Sequence, residues 1–505
     1  MKKLFGRVLI VIPIIVIQIC WFALIFYLLR DLAEILMIVL QILAILFSLY
    51  IISKREEGTY KILWLIIIMS LPIFGALLYL FVGNKGSGRK LLKKIKPVTE
   101  GLKGTLPEND EIINEIAGKN KRIAQSLNTI TANTGFPVYA GDDIKYYPLG
   151  EDMFEDMCKE LEKAEHFVFI EYFIIKTGTF WDTMVDILAK RVESGVDVRV
   201  MYDDLGCITS YSHSDVVQLE KKGIKCIPFN PFFSIKTQLN NRDHRKIMVI
   251  DGRVAFSGGV NIADEYINLT HPFGKWKDIG FRINGEAVKN YTYMFMEFWN
   301  AFDTKNPISK DRISEYKYTK PEKYNGYILP YYDNPLEGDP TSNIFFTEVL
   351  SFATDYVYFY TPYLMLGDTL YDAFIMAAKR GVDVRLILPG IPDKKLVYRI
   401  SRSYYRPLLE AGVKIYEYTP GFVHAKAFVA DDHLCGIGTV NLDYRSLFLH
   451  YECFSVFYDT SVAADVKKDI ENTINESRVV IFKDTNRNIF SAIFDGVLRI
   501  LAPLL

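Results

Sequence analysis

The sequence predicts an α/β protein in which two duplicated α/β sandwich domains, related by pseudo-twofold symmetry, follow an amino-terminal transmembrane helical anchor. Two observations predict this fold class. Three long apolar runs lie within the first 85 residues, each near the roughly 20 residues that a helix needs to cross a bilayer. Beyond residue 135, apolar strands rich in β-branched and aromatic residues alternate with helices, and the same order occurs twice. Such alternation is typical of α/β sandwiches.

The anchor is predicted over residues 1–85 as two or three helices. Its apolar runs are Val8–Leu29, Glu34–Ile52 and Ile62–Val82. The first run lacks the small-residue cleavage site of a signal peptide, and further apolar segments follow it at once. The basic cluster between residues 85 and 96 favours a cytoplasmic face for the domains that follow. Three full spans would then place the basic amino terminus outside, a conflict that the sequence leaves open.

Two further segments flank the predicted domains. Residues 86–134 are expected to form a basic linker with a membrane-proximal helix, and the cluster serves either as a topology signal or as a contact for anionic headgroups. Residues 481–505 carry apolar side chains at helical spacing. They predict an amphipathic helix that either lies in the membrane interface or caps the second domain.

The duplication is visible in the order of elements within residues 135–325 and 326–480. The first half contains a strand over 167–175, a helix over 180–194 and a strand over 196–202, and the second half repeats them over 356–363, 370–380 and 382–388. A constant order at offsets of about 180–190 residues indicates an internal repeat. We therefore expect one histidine motif from each half to meet at the interface between the halves.

The motif H-x-K-x4-D occurs once in each half. Its residues are His244, Lys246 and Asp251 in the first half and His424, Lys426 and Asp431 in the second. A glycine-rich turn and an asparagine, Asn261 or Asn441, follow each copy. Because alternate residues of a strand share a face, each histidine is expected beside its lysine.

Two histidines and two lysines around one pocket suit a phosphodiester. The lysines, with Asn261 and Asn441 as neutral donors, would stabilise the charge on the phosphate oxygens. One histidine can attack phosphorus to form a phosphohistidine, while the other protonates the leaving alcohol. Each imidazole needs a partner that fixes its tautomer, and Asp278 and Glu452 are the candidates.

The motif aspartates, Asp251 and Asp431, belong to the predicted catalytic set, although we expect them to hold backbone rather than to touch substrate. No cluster of carboxylates or cysteines has the spacing of metal ligands. No metal or other cofactor is therefore predicted.

These motifs resemble those of the phospholipase D superfamily, which carries H-x-K-x4-D in both halves. More narrowly, the chain is similar to the bacterial cardiolipin synthases over most of its length. The segments that carry the similarity are Asn241–Tyr266, Phe422–Ser446 and Leu63–Gly83. The chain departs from the usual two-helix anchor of that family by its extra apolar run, Val8–Leu29.

The resemblance implies phosphatidyl transfer from one phosphatidylglycerol to the hydroxyl of another, giving cardiolipin and glycerol. It implies His244 as the nucleophile and His424 as the general acid/base, with the reverse order open. The partners implied are phosphatidylglycerol, other membrane lipid and an anionic membrane surface, with the chain in the cell membrane as a multi-pass protein. The motifs do not encode an oligomeric state.

Three alternatives use the same fold. A membrane-anchored phospholipase D hydrolase, or a phosphatidyltransferase acting on another alcohol such as ethanolamine or serine, would need the same motif residues. A non-catalytic membrane scaffold is disfavoured because both motifs are intact. Nucleic acid is not expected as a partner, because 59 basic and 60 acidic residues leave a net charge of −1 and no basic–aromatic track is present.

Overall fold

The computed structural model describes residues 16, 17, 19–21, 23, 24, 27, 33–54, 56–83, 88–231, 240–316, 318 and 326–504. The chain divides into two compact units, one formed by Met1–Arg89 with Gly496–Leu505 and the other by Lys90–Asp495.

The first unit contains helix α1 (Ala33–Ile52). Its segment Glu34–Ile52 has a mean hydropathy of 2.8, and among the described residues it is the one helix long and apolar enough to cross a membrane. Most of its side chains are exposed, as expected for a helix that faces lipid. The first predicted run, Val8–Leu29, lies for the most part outside the described residues.

The third predicted run, Ile62–Val82, is a helical hairpin rather than one membrane-crossing helix. Helix α2 (Gly58–Ser70) ends before Leu71, whose φ of −137° and ψ of 76° are not helical, and α3 (Pro72–Leu78) continues into a π-helical turn at Tyr79–Gly83. Proline lacks the backbone N–H that would continue α2 and starts the next helix readily.

The two arms of this hairpin are in close contact. A Cβ at Gly75 would lie 2.7 Å from the Cα of Ile68, so only glycine allows this approach. The hydroxyl of Tyr60, near the start of α2, donates to the carbonyl of Gly83 at 2.8 Å. The chain therefore returns at Gly83 to the end of the hairpin at which it entered.

The second unit begins with linker helices and continues into two halves. The linker helices are α4 (Arg89–Leu102), α5 (Asp110–Lys119) and α6 (Lys121–Thr134). The first half comprises β1 (Tyr139–Ala140), β2 (Asp143–Tyr147), α7 (Gly150–Leu161), β3 (Phe167–Tyr172), α8 (Thr179–Glu193), β4 (Asp197–Asp203), α9 (His213–Lys221), β5 (Lys225–Phe229), β6 (Lys246–Ile250), β7 (Val254–Gly258), β8 (Lys275–Lys277), β9 (Gly280–Asn284) and α10 (Val288–Phe302).

The second half repeats this order with additional helices. It comprises β10 (Tyr327–Asp333), α11 (Thr341–Phe352), β11 (Tyr356–Tyr360), α12 (Asp368–Lys379), β12 (Asp383–Pro389), α13 (Lys395–Ser403), α14 (Tyr405–Ala411), β13 (Lys414–Tyr418), β14 (Gly421–Val423), β15 (Ala427–Ala430), β16 (Leu434–Gly438), α15 (Tyr444–Phe448), β17 (Glu452–Tyr458), α16 (Ser461–Asn475) and β18 (Ser477–Val479). Helix α17 (Ile489–Leu501) follows, and its side chains at Ile489 and Phe490 are 70% and 81% exposed.

The sheets of the two halves have the same topology. The first sheet has the strand order β2-β9-β7-β6-β3-β4-β5, and the second has β10-β17-β16-β15-β11-β12-β13 with β1 and β18 added at its edges. In each, the histidine-motif strand, β6 or β15, is central and pairs antiparallel with both neighbours. One of those neighbours, β3 or β11, pairs parallel with the next strand. The predicted duplicated α/β fold is therefore confirmed.

Two helices join the halves into a sandwich. Helix α10 packs on strands of the first sheet and on β10 of the second, while α16 packs on strands of the second sheet and on β2 of the first. Both helices are the last of their half in sequence, so their crossed contacts follow the internal symmetry. This arrangement brings the motif strands β6 and β15 toward one another.

Candidate active site

The motif histidines lie at the starts of two buried strands. Lys246 is the first residue of β6, and Lys426 directly precedes β15. Both lysines are fully buried, whereas the side chains of His244 and His424 retain 12% and 9% exposure. The histidines are therefore the parts of the motifs that a substrate can reach.

His244 is held by the second half of the unit. Its backbone N–H donates to the carbonyl of Tyr451 at 2.9 Å, and Asp243 forms a parallel bridge with the same residue. Its Nδ1 lies 2.8 Å from Oε2 of Glu452. Glu452, predicted as a histidine partner, thus reaches the histidine of the other half.

His424 is held in the same way by the first half. Strand β14 pairs parallel with β8, and the N–H of His424 donates to the carbonyl of Lys277 at 2.7 Å. Its Nδ1 lies 2.7 Å from Oδ2 of Asp278. Each imidazole is therefore oriented by the carboxyl of the opposite half, and neither half contains a complete histidine–carboxyl pair.

The glycine-rich turn after the first motif makes room for one of these carboxyls. A Cβ at Gly259 would lie 2.0 Å from Oδ1 of Asp278, which no side chain can tolerate. Glycine at this position is thus required for Asp278 to reach His424.

The lysines contact the histidines directly. The ammonium of Lys246 donates to the carbonyl of His244 at 2.8 Å. The Nζ of Lys426 lies 2.8 Å from Nδ1 of His424 and also donates to the His424 carbonyl. Burial lowers the pKa of Lys246, and burial lowers that of Lys426 to about 7. A nearby anion would restore their positive charge.

Both imidazoles are neutral in this environment. Burial, reinforced by Lys246 and Lys426, lowers the pKa of His244 well below its usual value. Burial and Lys426 lower the pKa of His424 to about 3, although Asp278 opposes the shift. A neutral imidazole whose Nδ1 faces a carboxyl has Nε2 available for attack.

The two carboxyls differ in charge. Burial alone would raise the pKa of Asp278, but the neighbouring His424 and Lys426 lower it overall. Burial raises the pKa of Glu452 to about 8, and the Thr439 hydroxyl donates to its Oε2 at 2.5 Å. Asp278 is therefore ionised at neutral pH, while Glu452 is largely protonated.

The motif aspartates lie at the far ends of strands β6 and β15, away from the histidines. Asp251 accepts hydrogen bonds from the backbone N–H groups of residues 165, 166 and 167, and Asp431 accepts from those of residues 354, 355 and 356. Each carboxylate thus fixes the start of the adjacent strand, β3 or β11.

The comparison with protein families matches both halves of this arrangement. The model described as "Cardiolipin synthase, PLD-like domain" matches residues 157–299 and 346–474, which together are more than half of the chain. The chain belongs to the cardiolipin synthase family of phospholipase D-like proteins. It is accordingly an enzyme of the phosphatidyltransferase class. A second model, "Phospholipase D-nuclease N-terminal", matches residues 42–84, and together with helix α1 it associates the chain with a membrane.

Relatives of the family resemble the chain over nearly its whole length. A cardiolipin synthase from Geobacillus kaustophilus is 32% identical, with 92% of this chain and 93% of that protein covered. An uncharacterized protein from Streptococcus mutans is 40% identical, with 90% and 99% covered. The crystal structure of a phosphatidylserine synthase from Haemophilus influenzae has the same fold, with a TM-score of 0.57, 14% identity, and coverage of 76% of this chain and 98% of that one.

The predicted asparagines differ from one another in this member of the family. Asn261 uses both ends of its amide, accepting from the N–H of Ile174 and donating to the Tyr266 hydroxyl. Asn441 donates to the Ser446 hydroxyl at 3.1 Å, and its Oδ1 has no partner among the described residues. The oxygen of Asn441 is thus free to accept a further hydrogen bond, whereas that of Asn261 already accepts one.

Aromatic side chains line the site and were not predicted from the motifs. Phe173 lies edge-on to His244 with ring centroids 4.8 Å apart. Tyr266, Trp276 and Phe422 surround His424 at 5.3, 5.7 and 5.9 Å. Phe422 and Trp276 each stand two residues before a predicted site residue, a signal that could have identified them as its neighbours.

Proposed function

We propose that the protein synthesises cardiolipin by moving a phosphatidyl group from one phosphatidylglycerol to the hydroxyl of a second, through a phosphohistidine. The observation that carries this proposal is the reciprocal pair of imidazoles, each held by a carboxyl of the opposite half beside a buried lysine. Two equivalent groups suit a reaction in which one alcohol leaves phosphorus and another replaces it.

In the first step, Nε2 of His244 attacks phosphorus, and the bond from phosphorus to the glycerol oxygen breaks. The anionic phosphodiester offsets the charges of Lys246 and Lys426, which raises the histidine pKa values. His424 can then hold a proton and deliver it to the departing glycerol. The lysines stabilise the oxygens of the transition state.

In the second step, His424 removes the proton from the hydroxyl of the acceptor lipid. The resulting oxygen attacks phosphorus, and the bond from phosphorus to His244 breaks, which releases cardiolipin. Confinement of donor and acceptor in one bilayer raises their effective concentration.

The difference between the carboxyls supports His244 as the nucleophile. An ionised Asp278 stabilises the imidazolium that His424 must form as an acid/base group. Burial raises the pKa of Glu452, so its carboxyl gives an imidazolium at His244 less of this stabilisation.

Product analysis tests the proposal. Wild type, His244→Ala and His424→Ala would be incubated with phosphatidylglycerol vesicles, and the lipids followed by mass spectrometry. We expect cardiolipin with equimolar glycerol from wild type and neither product from the variants. Phosphatidic acid in place of cardiolipin would identify a hydrolase, and the absence of any product would favour the scaffold.

A donor with an activated leaving group distinguishes the two histidines. With a p-nitrophenyl ester of phosphatidic acid, the first step needs no general acid. The His424→Ala variant should therefore release one equivalent of p-nitrophenol and retain a phosphatidyl adduct in its intact mass, whereas His244→Ala should do neither. If His244→Ala released p-nitrophenol and retained the adduct while His424→Ala did neither, His424 would be the nucleophile.

We further propose that the membrane anchor presents the catalytic domains to the cytoplasm. Because the hairpin returns to its starting end, we expect the chain to leave the membrane after Gly83 on the side of Lys54, whose Nζ donates to the Tyr79 hydroxyl at 2.7 Å. Both basic segments then obey the positive-inside rule. In a variant whose native cysteines are replaced, Ser53→Cys and Lys90→Cys should react with an impermeant maleimide from the same, cytoplasmic, side. Labelling from opposite sides would refute the hairpin topology.

A further inference from the structure

The loop Gly390–Lys394, which connects β12 to α13, is fixed beside the strand that leads to His424. The N–H of Gly390 donates to the carbonyl of Tyr418 at 3.0 Å, and that of Ile391 donates to the carbonyl of Gly421 at 3.1 Å. Gly421 is the first residue of β14, three residues before His424. The position of this loop relative to the imidazole is thus set by backbone hydrogen bonds.

Lys394, the last residue of the loop, faces the site. Its Nζ lies 5.2 Å from the ring centroid of Tyr363, whose hydroxyl donates to Asp393 at 2.6 Å. The Tyr363 ring lies 6.4 Å from that of Phe422, which in turn lies 5.9 Å from the His424 imidazole. A continuous aromatic wall therefore runs from Lys394 to the catalytic pair.

The charge of Lys394 reaches the site, where it acts on His244 and on the buried carboxyl of Asp443. Burial and the motif lysines lower the pKa of His244, and Lys394 adds to that effect. Lys394 is exposed, and it forms no ion pair with any residue that the structure describes. By contrast, Lys277 beside the same site is paired with Asp469 at 2.7 Å.

The reaction proposed above involves two phosphodiesters, and the motif lysines account for only one of them. The acceptor lipid carries its own phosphate, separated by a three-carbon glycerol from the hydroxyl that attacks. We propose that Lys394 binds the phosphate of this acceptor lipid, with Tyr363 and Phe422 against its glycerol. The inference rests on the proposed function and deepens it: water and small neutral alcohols carry no such phosphate, so Lys394 favours lipid acceptors over them.

The test compares Lys394→Ala and Lys394→Arg with Lys395→Ala, a neighbouring exposed lysine that serves as the matched control. Vesicles would contain phosphatidylglycerol diluted in phosphatidylcholine, and cardiolipin and phosphatidic acid would be measured together. Loss of one charge-assisted hydrogen bond to the acceptor should raise its KM and slow cardiolipin formation roughly tenfold at subsaturating acceptor. Lys394→Arg should retain most of the rate, and Lys395→Ala should match wild type.

A neutral acceptor completes the test. Transfer to added ethanol should fall much less than cardiolipin formation in Lys394→Ala, so that its ratio of lipid transfer to ethanol transfer falls. Three outcomes would overturn the inference and leave the proposed function intact. They are equal losses with both acceptors, equal losses in Lys394→Ala and Lys395→Ala, and a cardiolipin rate that Lys394→Ala does not diminish. A wild type that makes no cardiolipin would overturn the proposed function itself.

Discussion

Replacement of Asp251 by asparagine probes whether the aspartate of the first motif acts in the chemistry or in the fold. Its Oδ1 accepts from the N–H groups of His166 and Phe167 at 2.8 Å each, and its Oδ2 accepts from that of Glu165 at 2.9 Å. Asp251 has a φ of +54°, a left-handed conformation that asparagine also tolerates. The substitution therefore changes hydrogen bonding with little change in backbone strain.

The magnitude follows from these three bonds. The asparagine oxygen can retain the bonds to His166 and Phe167, but as neutral rather than charge-assisted ones. Its NH₂ group faces the N–H of Glu165, so that the third bond is lost. A hydrogen bond to a charged group contributes about 1.5–3 kcal/mol, and with two weakened bonds we expect a total loss of about 2–4 kcal/mol.

The assay is thermal unfolding of the detergent-solubilised protein, followed by the transfer rate per folded molecule at a low temperature. Asp251→Asn should lower the unfolding midpoint by several degrees and leave the rate per folded molecule near that of wild type. Asp431→Asn should behave alike. Asp432→Asn is the matched control, because Asp432 also has a positive φ of 62° but its side chain is 64% exposed.

One result would refute this reasoning. If Asp251→Asn unfolded at the wild-type midpoint but transferred phosphatidyl groups many times more slowly, the carboxylate would act in the chemistry. A large loss of stability in Asp432→Asn would instead show that the effect does not depend on the buried backbone bonds.

Three other predictions follow from the site and the anchor. Asp278→Asn removes the ionised partner of His424 and should lower kcat by about a hundredfold with little change in KM; an increase confined to KM would contradict it. Burial raises the pKa of Glu452 from 4.5 to about 8. The protonated carboxyl therefore contributes stability that is fully present below pH 4.5 and is lost as pH rises through 8. The unfolding midpoint of wild type relative to Glu452→Gln should therefore fall between pH 5 and pH 8.5, and a constant difference would exclude the shift. Gly75→Leu should disrupt the hairpin, because the added Cβ would lie 2.7 Å from its backbone. The yield of folded membrane protein should therefore fall. Gly101→Leu is the control and should not lower the yield, because the space around Gly101 is open.

Much of the fold was predictable because it depends on local patterns. The strand predicted over 196–202 is observed as Asp197–Asp203, and the helix predicted over 180–194 as Thr179–Glu193. The alternating pattern of apolar residues in strands and their helical spacing in helices involve residues close together in the chain, so both can be recognised in the sequence alone. The run Ile62–Val82 shows where this kind of prediction fails. Its hydropathy indicates an apolar segment of a given length but not that the chain reverses direction at Pro72.

The sequence by itself determined the duplication, the motif residues and the chemical types of their partners. Only the tertiary structure decided that the carboxyl of Glu452 contacts His244 and that of Asp278 contacts His424, across 208 and 146 residues of the sequence. The position of Lys394 was also decided only by the tertiary structure. Lys394 belongs to no motif, and the backbone hydrogen bond of its loop to β14 brings it to the site. The physical reason is that spacing along a chain fixes which side chains share a strand face, whereas contacts between halves depend on how the two sheets pack against one another.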